Sequence, residues 1–97
     1  MIQLPRSAAL VLFLALVGSP ASAMDTKAAG KCVALGALDK NHQAKAEAIL
    51  DAANRTGYGA LVNQRVKEEF AFLAANKGNK AMTNGWILQA VSACRQF

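Results

Sequence analysis

Proline is missing from the chain after Pro20, and the whole sequence has two cysteines, one histidine and one tryptophan. Because proline breaks helices, its absence leaves long helical segments uninterrupted. No stretch alternates apolar and polar residues over the length of a strand, and β-branched residues are few. These absences argue against a β-sheet domain and predict an all-α fold.

The sequence has a single long apolar run, Ala8–Val17, which follows Arg6 near the start. Ala21–Ala23 then shows the small-x-small pattern that signal peptidases recognise. The run is too short for a transmembrane helix, which needs about 20 residues. We therefore predict a signal peptide over residues 1–23 and one helical domain over 24–97, with no membrane span after processing.

The predicted mature chain is basic. Without Arg6 it keeps 10 of the 11 Lys and Arg residues against 6 Asp and Glu, a net charge of +4. Such a charge favours weak contact with anionic envelope surfaces, such as lipid headgroups or cell-wall polymers. The predicted export argues against a nucleic-acid partner, and we expect a periplasmic or secreted location.

Four segments carry the helical period, with Asp25 and Asn79 as N-caps and Gly57 and Gly78 as stops. The predicted helices are Thr26–Leu38, Lys40–Arg55, Tyr58–Asn76 and Lys80–Gln96. The predicted fold is a small up-down four-helix bundle. Each predicted helix has one apolar face. The faces are, on the first helix, Ala28, Ala29, Cys32, Val33, Leu35 and Gly36; on the second, Ala46, Ile49, Leu50 and Ala53, joined by His42; on the third, Val62, Val66, Phe70, Leu73 and Ala74; and on the fourth, Met82, Trp86, Ile87, Ala90, Val91, Ala93 and Cys94.

The two cysteines, Cys32 and Cys94, lie in the apolar faces of the first and last predicted helices. In an up-down bundle those helices run antiparallel, which brings the two positions to the same level. Exported domains with an even number of cysteines commonly oxidise them. We predict a Cys32–Cys94 disulfide that closes the bundle. The alternatives are a free buried pair, a metal site lacking further ligands, and a reactive thiol.

Candidate chemistry is sparse. His42 is predicted to be half-buried and bonded to the backbone, because no nucleophile or orienting group is suitably spaced around it. The sequence lacks the Cys-x-x-Cys-His pattern of covalent haem attachment, and Met82 with His42 suits a non-covalent haem poorly. Arg65 and Glu69 are spaced as an i,i+4 ion pair. We expect no metal, no cofactor and no enzymatic activity.

One strip of the third helix does not fit a plain bundle. Leu61 and Phe72 fall outside its main apolar stripe, and Tyr58, Arg65 and Glu68 surround them. The strip is either the edge of a broad core or a surface for a partner or a second copy of the chain. We predict that these five residues belong to a partner-binding surface.

In outline, with a signal peptide, a short mature chain and two distant cysteines, the sequence resembles small helical acid-stress chaperones of the bacterial periplasm. It is also similar to small periplasmic immunity proteins that neutralise cell-wall-attacking toxins, although the closing segment WILQAVSACRQF does not reproduce their motifs. The resemblance concerns architecture and assigns no residue a role. We predict a non-enzymatic protein that acts by binding another protein, as an inhibitor, immunity protein or accessory subunit; the alternative is a stress chaperone or envelope-associated protein.

Overall fold

The computed structural model describes residues 23–97, and this part of the chain contains four α-helices and no strand. The helices are α1 (Thr26–Leu38), α2 (Gln43–Thr56), α3 (Gly59–Ala75) and α4 (Lys80–Cys94), and a 3₁₀ turn over Lys40–His42 precedes α2. The all-α helical bundle is confirmed. The predicted signal peptide lies outside the described residues, except for Ala23. The up-down order of the helices stays a prediction.

The predicted caps Asp25, Asn79 and Gly57 stand at helix ends, whereas α3 ends at Ala75 with Asn76 as its C-cap, before the predicted stop Gly78. The carboxylate of Asp25 accepts the backbone N–H of Ala28 at 3.0 Å, and the side-chain oxygen of Asn79 accepts that of Met82 at 3.1 Å. Gly57 ends α2 with a φ of 86°. This left-handed conformation is costly for residues with a Cβ, which explains why glycine stands there.

The second, third and fourth helices differ from their predicted bounds. Helix α3 spans Gly59–Ala75 rather than Tyr58–Asn76. Residues 40–42 form a 3₁₀ turn rather than the start of α2, because the carboxylate of Asp39 accepts the N–H of Asn41 at 3.0 Å and caps that turn. The last helix ends at Cys94 rather than Gln96. Helix ends commonly tighten or fray over one or two residues.

Helix α1 is the centre of the bundle: it packs against α2, α3 and α4, whereas the backbones of α3 and α4 hardly approach each other. Two glycines let the neighbouring helices come close. A Cβ at Gly30 would collide with the Cβ of Arg65 on α3, and a Cβ at Gly36 would collide with that of Ala46 on α2. The small side chains of α1 therefore set short distances to both neighbours.

The core is built mainly from small residues. Among residues 23–97, seven of the fourteen buried apolar residues are alanines, and the largest buried side chain is that of Trp86. The disulfide predicted between Cys32 and Cys94 is confirmed, with 4.8 Å between the two Cα atoms. Both cysteines are buried, so the crosslink joins α1 to α4 inside the core.

The inward face of α3 agrees with the predicted one only in part: Val62 is buried and Val66 and Leu73 pack against the core. Phe70 and Ala74, which were expected in the core, are exposed, whereas Arg65 and Glu69 are half-buried. Gly30 on α1 leaves room for the stem of Arg65, and the carboxylate of Glu69 has partners on both α1 and α4. These two interactions turn the polar residues inward and leave Phe70 at the rim.

The inward face of α4 is narrower than predicted. Trp86 is only 3% exposed, as expected for a core residue, but Met82 and Ile87 are 43% and 40% exposed. Because α4 packs closely on α1 alone, it buries one stripe of its surface, formed by Trp86, Ala90, Ala93 and Cys94. Placing Met82 and Ile87 in the core was wrong.

Candidate binding groove

An apolar groove lies between α3 and α4 and extends over the end of α1. It encloses a cavity of about 290 Å³. The lining residues come from all three helices and from the turn after α1: Leu35, Leu38, Asp39, Leu73, Thr83, Trp86 and Ile87. We call this feature the apolar groove. It exists because α3 and α4 both pack on α1 but leave a gap between themselves.

The walls and the floor of the apolar groove differ in exposure. Leu38 is 62% exposed and Ile87 is 40% exposed, so both walls present apolar side chains to solvent. The buried indole of Trp86 and the buried Leu35 form the floor. A concave apolar surface with a rigid aromatic floor is typical of sites that bind an apolar side chain.

A smaller and more polar cleft lies on the other side of Trp86. It has a volume of about 190 Å³ and is lined by Lys31, Glu68, Glu69, Phe72, Trp86 and Gln89. Glu69 holds it together: its carboxylate accepts the indole N–H of Trp86 at 2.8 Å and lies 3.3 Å from the ammonium of Lys31. We call this feature the polar cleft. The Glu69 side chain is only 14% exposed, and a carboxylate with so little access to water needs partners of this kind.

The ion pair predicted between Arg65 and Glu69 is wrong. Arg65 pairs instead with Glu68, with 3.2 Å between Nη1 and Oε1. The hydrogen bond from Arg65, and then one from Gln64, lowers the pKa of the Glu68 carboxyl. Glu69 points away from this pair because α1 and α4 supply stronger partners for it.

The five residues of the predicted α3 strip fall in different environments. Glu68 and Phe72 line the polar cleft next to Trp86. Leu61 is 42% exposed and lies outside both cavities. Tyr58 packs against the core, and Arg65 lies against Gly30 of α1. The structure therefore brings Phe72 and Glu68 to the polar cleft; a partner-binding role for the strip stays a prediction.

His42 lies in the turn after α1. Its Nδ1 is 2.9 Å from a carboxylate oxygen of Asp39, rather than bonded to the backbone as expected. The Asn41 backbone N–H, and then His42, lower the pKa of the Asp39 carboxyl. Both interactions stabilise the turn that closes one end of the apolar groove. Within residues 23–97, no three His, Cys, Asp or Glu side chains are grouped to hold a metal ion.

The groove residues were not identified as a site from the sequence. Leu73 and Ile87 were assigned to the core, and Leu38 was given no role. One feature of the sequence could have indicated a site: the apolar surface of α4 is wider than the surface that one neighbouring helix can bury. Only the packing shows that part of this surface, at Ile87, lines a cavity instead of contacting a second helix.

Comparison with protein-family models, with curated proteins and with solved structures finds no match to this chain. Function is therefore inferred from geometry. In the part of the chain described here, every helix is too short or too polar to cross a bilayer. The Cys32–Cys94 crosslink is of the kind that persists in oxidising compartments.

Proposed function

We propose that this chain is an exported, non-enzymatic protein that binds another protein through the apolar groove, as an inhibitor, immunity protein or accessory subunit. One observation carries the proposal: large apolar side chains from α1, α3 and α4 converge on an open cavity while alanines fill the core. Leaving Leu38 and Ile87 in water gives an isolated molecule no stability. Burying them against a partner would contribute the apolar centre of an interface.

The proposed periplasmic or secreted location is supported by the disulfide, because the cytosol keeps such thiols reduced. The excess of basic residues supports, in addition, a weak attraction to anionic envelope surfaces. Neither feature identifies the partner, and both are compatible with a protein that meets it outside the cytosol.

The test compares three single substitutions to aspartate. Ile87→Asp alters the apolar groove and Phe72→Asp alters the polar cleft and the α3 strip; the two side chains are 40% and 37% exposed, so their folding costs are comparable. Leu88→Asp is the control, because Leu88 is 71% exposed and does not line the groove. Each variant is used as bait in a periplasmic extract, and its melting curve is recorded alongside.

The proposal expects that a stoichiometric partner is captured by the native chain and by Leu88→Asp but is lost with Ile87→Asp, while the three melting curves stay close. If Phe72→Asp alone abolished capture of the partner, the binding site would be the α3 strip rather than the apolar groove. Capture that Ile87→Asp leaves unchanged would contradict the proposal.

A chaperone function is the second candidate, and it is supported by a different observation. Exposed apolar residues are not confined to the groove: Leu61, Leu88 and Phe97 lie on other parts of the surface. A chaperone would bind many unfolded clients weakly over this dispersed surface. It would suppress aggregation of a denatured test protein, and each of the three substitutions would lower that activity only in part.

A further inference from the structure

The charges around the apolar groove narrow the choice of partner. From Phe70 to the end of the chain the sequence contains Lys77, Lys80 and Arg95 and no acidic residue. Lys77 follows the groove residue Leu73 by one turn in sequence, and Lys80 precedes Thr83 by three residues on α4. Both lysines are exposed. The connection between α3 and α4 therefore carries two exposed positive charges within four residues of groove-lining positions.

The one carboxylate that lines the groove is already paired. Asp39 accepts the backbone N–H of Asn41 at 3.0 Å and lies 2.9 Å from His42 Nδ1. The residue after it, Lys40, is exposed and adds a third ammonium next to a groove residue. The groove thus has an apolar floor and walls, and exposed lysines follow or precede three of its lining residues by one to four positions.

The same charges oppose docking of α4 from a second copy of this chain. Of the exposed large apolar side chains, Met82, Ile87 and Leu88 lie on α4, between Lys80 and Arg95, and that helix has no acidic residue. Docking α4 of one copy into the groove of another would place like charges together, which opposes association. A partner of opposite charge has no such penalty.

Resting on the proposed function, we infer that the groove binds an amphipathic helix of another protein whose apolar side chains are flanked by Asp and Glu. A helix presents side chains at i, i+3, i+4 and i+7 on one face, which suits an apolar groove lined by residues of three helices. The carboxylates on its flanks would reach Lys40, Lys77 and Lys80. Opposite charge of this kind raises association rates and selects between partners.

Trp86 supplies a direct readout, because it is the only tryptophan and forms the groove floor. The native chain is titrated with two tryptophan-free helical peptides of about 18 residues, with leucines at the i, i+3, i+4 and i+7 positions. One peptide carries Glu at the flanking positions and the other carries Lys. Trp86 fluorescence and calorimetry give the affinities at low and high salt.

The inference expects the Glu peptide to bind at least about tenfold more tightly than the Lys peptide at low salt, with a difference that shrinks as salt screens the charges. The double substitution Lys77→Glu and Lys80→Glu should reverse the preference. Ile87→Asp should abolish binding of both peptides, whereas Leu88→Asp should leave it intact.

Two failures are distinguishable. Equal, salt-independent binding of both peptides that is lost with Ile87→Asp would overturn the acidic-partner inference and leave the groove function standing. Binding that Ile87→Asp does not affect would contradict the groove function itself. Three further outcomes would overturn the inference. Neither peptide binds; the chain forms a dimer that Ile87→Asp dissociates in sedimentation; or the chain binds phosphatidylglycerol vesicles, instead of the Glu peptide, in a way that depends on Ile87.

Discussion

Glu69 on α3 accepts the indole N–H of Trp86 on α4, with 2.8 Å between Oε1 and Nε1. This bond crosses the gap between two helices whose backbones hardly approach each other. It fixes the indole between the apolar groove on one side and the polar cleft on the other. The geometry of both cavities therefore depends on one carboxylate.

Glu69→Leu is expected to destabilise the protein by about 1–3 kcal/mol, because the buried indole N–H loses its acceptor. Glu69→Gln keeps an acceptor at that position and should cost less. Urea denaturation measures both. Glu68→Leu is the matched control, since its carboxylate lines the same cleft but is 48% exposed. Equal losses for Glu69→Leu and Glu68→Leu would contradict this role.

Two glycine substitutions should act in opposite directions. Gly30→Ala places a Cβ against Arg65 of α3, and we expect a loss of about 1–3 kcal/mol from overpacking. Gly85→Ala on α4 meets no atom within 4 Å, so the higher helix propensity of alanine should stabilise the fold by about 0.5–1 kcal/mol. Melting curves under identical conditions decide the signs, and a stabilising Gly30→Ala would contradict the close α1–α3 contact.

Trp86 and Ile87 are neighbours in sequence, but we expect them to contribute differently to the stability of the fold. Trp86→Ala removes the groove floor from a site that is 3% exposed, and should cost about 3–5 kcal/mol. Ile87→Ala removes a side chain that is already 40% exposed, and should cost about 1 kcal/mol. Comparable losses in chemical denaturation would show that Ile87 is buried after all.

The disulfide should contribute a large part of the stability. It closes a loop with a sequence separation of 62 residues, for which the chain-entropy model gives about 4 kcal/mol. Cys94→Ser should lower the unfolding midpoint accordingly, and reductant should affect the native chain but not this variant. Intact mass of the purified protein should be lower than that of the reduced form by two hydrogen atoms; two free thiols would contradict the bond.

Stability should fall in acid partly through Asp39. Its folded pKa lies below the ordinary 3.8, because Asn41 and then His42 bond to the charged carboxylate. A lowered pKa contributes stability above the unfolded value, and this is lost as pH falls through the folded value. Asp39→Asn should therefore flatten the acid side of a plot of melting temperature against pH. Parallel curves for the two proteins would contradict this assignment.

The sequence alone determined the local features of this protein. Asp25, Asn79 and Gly57 mark helix ends because each acts on backbone groups within a few residues of itself. The Cys32–Cys94 bond was also predictable, since only two cysteines are present and both lie on apolar helix faces. The capping inferences need only a residue and its immediate neighbours, whereas the disulfide needed, in addition, the assumption that the first and last helices run antiparallel.

The tertiary structure decided which residues of α3 and α4 turn inward, whereas the faces predicted for α1 and α2 are the ones that pack in the core. Arg65 and Glu69 replace Phe70 and Ala74 on the inner side of α3 because Gly30 makes room for one and Trp86 bonds to the other. Gly30 and Trp86 both lie more than a dozen residues from their partners on α3, so the helical period of α3 gives no information about these contacts. The apolar groove arises in the same way, since it depends on α3 and α4 each packing on α1 while leaving a gap between them.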